Sequence, residues 1–409
     1  MKRPELFRFA GLSSLKTPKM FDAQTGTATG SASIVIPAPS VADGDLMIAF
    51  LLTTSGSATM GSGPLGWIRL TTGSSSIRTE VWYKYALSES GTYTWTWSGT
   101  GNLFGGLLTW KNGGVPIAGA ITNGTSSTTT AAAITIGALS AVAGMFGNGT
   151  NGTTSVSTPP VGMTLKAFEN GTQPECNLYE VDGAAAGTFG PETAVWGSSS
   201  STSGLLVEVP VPINNLPMVV ATSSASGTGT TIVVNKPTGT VDGHLMFAWV
   251  SVNASGTYTG PAGWTEIADF SNVGGGAYTS ALYYKIAASE GSSYTFTSTG
   301  SAASCGGILT LSHAAYDTIG TPAGGAGAVN FTTITVAANN SLLLGFVFQT
   351  GANGTTKAPP MGVIFNEGDS TAPGFGFLYQ YVNSGATGTR TVTPSSAGCA
   401  GVLVSVSPS

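Results

Sequence analysis

Hydrophobic and polar residues alternate along much of this chain, with an apolar residue at every second position. In residues 92–97, Thr alternates with Tyr93, Trp95 and Trp97. Because successive side chains of a strand point to opposite faces, this period of two predicts strands with one aromatic face. Short apolar runs, GGLLTW and GLLVEV, predict central strands that are covered on both faces. Turns rich in Gly, Asn and Ser separate these segments, so the sequence predicts an all-β fold of many short strands.

The same series of motifs occurs twice in the chain, about 200 residues apart. ADGDLMIAF (42–50) corresponds to VDGHLMFAW (241–249), PLGW (64–67) to PAGW (261–264), and WYKYALSESGTYTWT (82–96) to YYKIAASEGSSYTFT (283–297). FGGLLTW, LYE and GLLVEVP then reappear as CGGILTL, LYQ and GVLVSV in unchanged order. Such an offset, kept over so many motifs, indicates a duplicated unit.

The duplication predicts two tandem homologous β-sandwich (jelly-roll-like) domains preceded by a short N-terminal arm. The predicted bounds are 1–23 for the arm, 24–209 for the first repeat, 210–217 for a Pro-rich linker and 218–409 for the second repeat. Three prolines, Pro210, Pro212 and Pro217, stiffen the linker and keep it out of a sheet interior.

Six aromatic residues at matched positions are candidates for the structural core: Trp67, Trp82, Trp95, Trp264, Tyr283 and Phe296. Exchange between large hydrophobic residues in the two copies is what a core tolerates. The Trp of each Gly-Trp pair is expected to plug the end of a sandwich, with its indole N–H donating to a loop carbonyl. The alternative is a saccharide platform, in which an exposed Trp stacks on a sugar.

Composition narrows the possible partners. Only 8% of the residues are charged, whereas 41% are hydrophobic and 37 are aromatic, so the chain has the material for cores rather than for disorder. A net charge of −5 over 409 residues provides no large field for nucleic acid. Since no stretch reaches 18 apolar residues, no membrane span is expected.

The first 19 positions differ from the rest. They contain five of the 14 basic residues, and the remaining chain carries nine basic and 18 acidic side chains. Charges interrupt the apolar residues of this arm, so no signal peptide is expected. The arm mixes aromatic and basic side chains, as binding hot spots do, and we expect it to bind a partner through Arg3, Leu6, Phe7, Arg8, Phe9 and Leu12.

Catalytic signals are weak. The two histidines, His244 and His313, have no counterpart in the other copy, which argues against a Ser-His-Asp arrangement. Two acidic pairs recur, Asp43 with Asp242 and Glu89 with Glu290, but their contexts are typical of turns rather than of a glycosidase pair. The DGD at 43–45 matches half of a calcium loop without the rest. We expect no enzyme activity and no cofactor.

The three cysteines, Cys176, Cys305 and Cys399, do not form a disulfide scaffold. Cys305 and Cys399 each lie near a predicted strand of the second copy. Two buried thiols are the favoured interpretation, and a bond between these two remains the alternative.

The recurring motifs resemble a family of virion-associated sandwich proteins of tailed bacteriophages. The pattern runs from Gly44-Asp45-Leu46, through Pro64 to Trp67, Trp82 to Ala86 and Tyr93 to Thr96, to Gly105-Gly106-Leu107, and it recurs from Gly243 to Ile308. One departure is His244, which stands where the first copy has Asp45. The resemblance covers both copies but not the first 20 or so residues.

The resemblance implies a structural protein of the virion, displayed as a fibre, spike or head decoration, made in the host cytoplasm and contacting other virion proteins through the arm. It also implies a homo-oligomer, most simply a trimer, and contact with a host surface glycan. The alternative is a bacterial surface adhesin or carbohydrate-binding protein. A polysaccharide-degrading enzyme has the least support.

Overall fold

The structure is a computed structural model that describes residues 17–60, 63–149, 156–169, 174–212, 216–271, 277–325, 327–349, 361–367, 373–393 and 398–409. Every helix or strand element in these ranges is a β-strand. The predicted all-β fold is therefore confirmed. In the same ranges, no helix is long and apolar enough to cross a membrane.

The first half of the chain contains fourteen of the described strands. They are β1 (Lys19–Pro37), β2 (Leu46–Thr53), β3 (Ile68–Ser74), β4 (Arg78–Tyr85), β5 (Thr92–Lys111), β6 (Ile117–Ala118), β7 (Thr122–Ala131), β8 (Ile134–Ile136), β9 (Ser140–Asn148), β10 (Val156–Thr158), β11 (Thr164–Glu169), β12 (Glu175–Ala184), β13 (Gly187–Phe189) and β14 (Glu192–Val209).

The second half contains sixteen described strands. They are β15 (Met218–Asn235), β16 (Leu245–Val252), β17 (Tyr258–Thr259), β18 (Thr265–Ser271), β19 (Thr279–Ile286), β20 (Ser293–Ser312), β21 (Ala314–Ile319), β22 (Ala323–Gly325), β23 (Val329–Phe331), β24 (Thr335–Val336), β25 (Ser341–Gln349), β26 (Gly362–Glu367), β27 (Gly374–Val382), β28 (Gly385–Ala386), β29 (Arg390–Val392) and β30 (Cys399–Pro408).

These strands form four main antiparallel sheets with corresponding strand orders. Sheet 1 has the order β1-β5-β2-β4-β3 and sheet 3 the order β15-β20-β16-β19-β18, with β17 also on β20. Sheet 2 runs β10-β14-β9-β12-β11, with β6 and β7 also on β14, and sheet 4 runs β21-β30-β25-β27-β26, with β22 on β30. Each half thus contains two sheets. In each sheet, the strand that comes last in the chain takes the second place in the strand order; these strands are β5, β14, β20 and β30. Three two-stranded ladders, β8–β13, β23–β29 and β24–β28, complete the set.

The two sheets of each half pack face to face, and the second glycine of each repeated Gly-Gly pair lies at their contact. A Cβ added at Gly106 would lie 2.3 Å from Cδ1 of Leu178 in sheet 2. At the matched Gly307, a Cβ would lie 2.4 Å from Cε2 of Phe375 in sheet 4. Since neither position has room for a side chain, Gly is required at both. This explains why the motif GG-(apolar) is kept in both copies.

The outer face of sheet 1 has a core of its own. The first and last strands, β1 and β5, are long enough to bend over this face, and their pairing shifts register around Gly30 and Ser31. Beyond the bend, Ile34 lies opposite Trp95, and both pack against residues of β2 such as Leu51. Sheets 2, 3 and 4 each have a corresponding local core. Every sheet is therefore covered on both faces.

The structure refines two details of the duplication. β1 begins at Lys19, inside the segment that the sequence assigned to the arm, and residues 1–16 lie outside the described chain. Gly144 and Gly345 pair with the third residue of GLLVEV and of GVLVSV, respectively, so they are equivalent. On their other side, Gly144 pairs with Tyr179 but Gly345 with Leu378. The alignment of LYE with LYQ is therefore wrong by one residue.

Candidate functional site

The repeated motif of the first half folds into a compact constellation around the Gly-Trp turn. Lys84 on β4 forms an ion pair with Glu89, with 2.6 Å between Nζ and Oε1. Glu89 also accepts a hydrogen bond from the N–H of Leu87 at 2.8 Å and one from the hydroxyl of Tyr93. The ring of Trp67 meets the Tyr93 ring edge-on, with centroids 5.1 Å apart. The motif residues thus stabilise one another across two strands, β4 and β5, and two connecting segments.

The second half builds the same constellation. Lys285 pairs with Glu290 at 2.7 Å, and Glu290 accepts hydrogen bonds from the Ala288 N–H at 2.8 Å and from the Tyr294 hydroxyl at 2.9 Å. Trp264 meets Tyr294 edge-on at 5.1 Å. The glutamates and tyrosines belong to the motifs that the sequence repeats, but the repeat alone assigned no role to the lysines. Their presence at the same place in WYK and YYK was the available signal.

Burial and hydrogen bonding set the protonation of this constellation. Burial, and then the hydrogen bond and charge of Glu89, raise the pKa of Tyr93 well above its usual value, so Tyr93 stays a donor. For Glu290, burial acts to raise the pKa, but the hydrogen bonds from Lys285, Ala288 and Tyr294 together with the lysine charge outweigh it. The pKa of Glu290 is therefore lowered.

The glycine of each turn is fixed by its backbone and by the lysine that crosses it. Gly66 has a φ of +81° and Gly263 a φ of +84°, both in the left-handed region. A Cβ at Gly66 would lie 2.9 Å from Cε of Lys84, and one at Gly263 would lie 3.3 Å from Nζ of Lys285. Gly-Trp therefore combines a turn that needs glycine with an aromatic ring that packs beneath it.

The six aromatic candidates for the core differ in burial. Trp67, Trp82, Trp95, Tyr283 and Phe296 are buried, whereas Trp264 is partly buried against the local core of sheet 3. The predicted hydrogen bond from the indole N–H is wrong, because Nε1 of Trp67 and of Trp264 has no partner among the described residues. Both tryptophan rings make edge-to-face contacts with a neighbouring tyrosine.

The acidic pairs act in turns, as expected from their contexts. Oδ1 of Asp43 accepts the Ser88 N–H at 2.7 Å, and Oδ1 of Asp242 accepts the Ser289 N–H at the same distance. In the DGD segment, Asp45 accepts the Ala42 N–H at 2.9 Å. Within the described ranges, no group of three or more His, Cys, Asp or Glu residues could hold a metal ion.

Both histidines and two of the three cysteines lie in the second half of the chain, and Cys176 lies in the first half. Nδ1 of His244 accepts the N–H of Val241 at 3.3 Å, and burial, followed by the charge of His313, lowers the pKa of His244. Cys176, Cys305 and Cys399 are buried and are not joined by disulfide bonds. The prediction of buried thiols is confirmed.

A cluster of charges that the sequence analysis did not identify lies on the edge of sheet 1. Glu80 is fully buried, and its Oε1 accepts hydrogen bonds from Nε of Arg78 at 2.8 Å and from Thr72 at 2.9 Å. Oε2 of Glu80 lies 3.1 Å from Nε of Arg69, whose guanidinium stacks over the Trp82 ring at 4.8 Å. The repeat does not point to this cluster, because the residue of the second half that matches Glu80 is Ala281.

The two halves meet at a group of tyrosines. Tyr85 of β4 and Tyr381 of β27 contact each other edge-on at 5.3 Å. The hydroxyl of Tyr379 donates to the carbonyl of Gly66 at 2.6 Å, and the hydroxyl of Tyr381 donates to the carbonyl of Pro217 at 2.7 Å. These bonds tie the first Gly-Trp turn and the end of the linker to sheet 4.

Two cavities lie along this junction. A pocket of about 180 Å³ is lined by residues that include Lys84, Tyr85 and Tyr379. A groove of about 640 Å³ is lined by Arg69 and Thr71 from sheet 1, by Gln380 from sheet 4 and by Asn340 from the turn before β25. Guanidinium, hydroxyl and amide groups on two walls are able to form hydrogen bonds with a polar, uncharged ligand such as a sugar.

The predicted partner-binding residues of the arm, Arg3, Leu6, Phe7, Arg8, Phe9 and Leu12, lie outside the described residues. The structure therefore leaves the role of the arm as a prediction. No protein-family model, curated protein or solved structure matches this chain.

Proposed function

We propose that the chain is a structural protein of a bacteriophage virion, displayed on the particle surface as a fibre, spike or decoration protein. The observation that carries the proposal is the matched use of the repeated motif. In both halves the residues that resemble virion sandwich proteins form the same Lys–Glu–Tyr–Trp packing unit. Residues used for packing in both halves support a building role rather than catalysis.

The composition of the surface and interior supports the same role. Each of the four main sheets is covered on both faces, and the hydrophobic interior is extensive for a chain with so few charges. Such double cores suit a protein that has to persist outside the cell. In this role the arm binds another virion protein, and the body is exposed on the particle.

Particle incorporation tests the proposal. Particles would be purified from cells that express the full chain or the chain lacking residues 2–20. This deletion removes the first two residues of β1, Lys19 and Met20, and leaves the rest of that strand intact. We expect the full chain in purified particles and its antibody label on their surface, with the truncated chain folded but absent from them. Absence of the full chain from particles would contradict the proposal. Normal incorporation of the truncated chain would refute the role of the arm alone.

The second candidate function is that of a surface adhesin or carbohydrate-binding protein. The groove between the halves favours it, because Arg69, Asn340 and Gln380 line a polar cleft of suitable size. A glycan array with purified protein tests this role. Binding that is lost when Ile117, an exposed residue of the groove wall, is changed to Trp would support it.

A further inference from the structure

The contact between the two halves joins two different sheet edges. One is the edge formed by β3 and β4 with the Gly-Trp turn, which we call the Gly-Trp edge. The other is formed by β26 and β27, which we call the receiving edge. The N–H of Gly66 donates to the carbonyl of Val363 at 2.9 Å, and the Tyr379 hydroxyl donates back to the Gly66 carbonyl. The edges therefore bind each other through main-chain groups as well as side chains.

Each half possesses both kinds of edge. By strand order, β18 and β19 form the Gly-Trp edge of the second half, and β11 and β12 form the receiving edge of the first. Among the described residues, the Gly-Trp edge of the first half and the receiving edge of the second half are joined to each other. One edge of each kind remains, and the two remaining edges are equivalents of two surfaces that bind each other.

Exposure separates the joined edges from the remaining ones. On the Gly-Trp edges, Ile68 is 1% exposed and Tyr85 7%, whereas their counterparts Thr265 and Ile286 are both exposed, Ile286 to 48%. On the receiving edges, Val363 is half-buried, but its counterpart Leu165 is 42% exposed. At these three positions the remaining edges are thus more exposed to solvent than the joined edges.

The main-chain geometry for the same contact is in place on the remaining Gly-Trp edge. Gly263 has almost the same φ as Gly66, and its N–H makes no backbone hydrogen bond among the described residues. On the remaining receiving edge, Leu165 occupies the register position of Val363, one residue after the residue that pairs with Glu180 or Tyr379. A bond from the Gly263 N–H to the Leu165 carbonyl would repeat the bond inside the chain.

One pair of side chains at the junction differs between the joined and the remaining edges. Inside the chain, Lys84 and Tyr379 line one pocket at the junction. Their counterparts are Lys285, which pairs with Glu290, and Glu180, whose Oε2 lies 3.4 Å from Nζ of Lys166. Oε1 of Glu180 is buried and has no hydrogen-bond partner among the described residues. This oxygen is therefore able to accept a hydrogen bond from a docked side chain.

We propose that the Gly-Trp edge of the second half docks on the receiving edge of the first half of a second copy, so that copies join head to tail. The joint is heterologous, because each copy contributes a different surface, and such joints close into rings when the rotation permits. Three copies would place six sandwiches in one ring. This inference goes beyond the virion role and holds for the purified protein alone.

The mass of the protein in solution, measured by light scattering during gel filtration, tests the proposal. Ile286→Glu disables the Gly-Trp edge and Leu165→Glu disables the receiving edge. Val233→Glu, at a 51% exposed position on β15, is the matched control. We expect the wild type and the control to associate, and each edge variant alone to have the monomer mass of 40.9 kDa.

Mixing the two edge variants distinguishes a head-to-tail joint from any joint made by one surface with itself. Each variant retains the edge that the other lacks, so an equimolar mixture should form a species of twice the monomer mass and nothing larger. Circular dichroism melting curves check that both variants are folded. A monomeric wild type, an edge variant that associates as the wild type does, or a mixture that stays monomeric would overturn the proposal.

Discussion

The two Gly-Trp turns have the same local structure but different surroundings. Both have a glycine in the left-handed region, a lysine–glutamate pair and an edge-on Trp–Tyr contact at 5.1 Å. Trp67 is 1% exposed, whereas Trp264 is only partly buried. The first turn is covered by β26, which binds Gly66 through Val363. The same motif therefore forms the same turn in both halves, and the turn on which a strand docks is the one with the more deeply buried tryptophan.

The largest effect is expected in the core beneath both turns, where the halves should behave alike. Trp95 and Phe296 are each 0% exposed at matched positions of β5 and β20. Replacing either by Ala should lower the free energy of unfolding by about 3–5 kcal/mol, because the cavity cannot collapse fully. Urea denaturation of Trp95→Ala and Phe296→Ala measures this. A loss of less than about 1 kcal/mol in one of them would break the equivalence of the two cores.

At the tryptophans themselves, the halves should differ. Trp67→Ala should lower the free energy of unfolding by about 3–5 kcal/mol, the cost of removing a buried large aromatic side chain. Trp264→Ala should cost about 1–3 kcal/mol, since part of its ring already faces water. The same denaturation experiment compares them. Equal losses would contradict the account of burial given above, and unchanged stability with lost glycan binding would favour the saccharide platform.

At the glycines, a smaller and similar effect is expected. Gly66→Ala and Gly263→Ala each place a Cβ on a residue with positive φ, which costs about 1–2 kcal/mol. Thermal melting of the two variants measures the loss. Gly91→Ala, at a φ of +77° with no neighbouring atom within 4 Å of an added Cβ, controls for the conformational cost alone. A variant at Gly66 that is as stable as the wild type would refute the need for glycine in the turn.

The smallest effect concerns acid stability. Because the folded pKa of Glu290 is lowered, its ionised form stabilises the fold above the unfolded pKa near 4.5. This contribution is lost as the pH falls through the folded value. The melting temperature of Glu290→Gln should therefore fall less than that of the wild type when the pH is lowered below 4.5. Melting curves recorded from pH 3 to 7 measure this difference. Asp269→Asn, an exposed acid on β18, controls for removal of a charge. An unchanged acid profile in Glu290→Gln would contradict the assignment.

The sequence was most informative where the pattern is local. The alternation in residues 92–97 predicts the burial of Tyr93, Trp95 and Trp97 on one face, and all three are buried. The apolar run GGLLTW predicts a central strand, and this part of β5 lies between β1 and β2. Period and turn chemistry depend only on near neighbours in the chain, so they can be read without the fold.

Features that depend on distant parts of the chain could not be predicted in this way. The one-residue displacement of LYE against LYQ follows from how β12 and β27 pair with their neighbours, because two adjacent apolar residues can face either side of a sheet. The ion cluster of Glu80 requires β3 and β4 to lie side by side. The partial exposure of Trp264, against the burial of Trp67 in the matched motif, was likewise not visible in the local pattern.

The central claim is that each half is a complete sandwich and that the halves meet mainly through the tyrosine junction. Separate expression of residues 17–212 and 216–409 tests it most directly, with folding followed by circular dichroism and thermal melting. The account predicts that both fragments give β-type spectra and melt cooperatively, each less stable than the full chain because Tyr85 or Tyr381 becomes exposed. A fragment that is unfolded, while the full chain is stable, would contradict the claim and show that the two halves share one indispensable core.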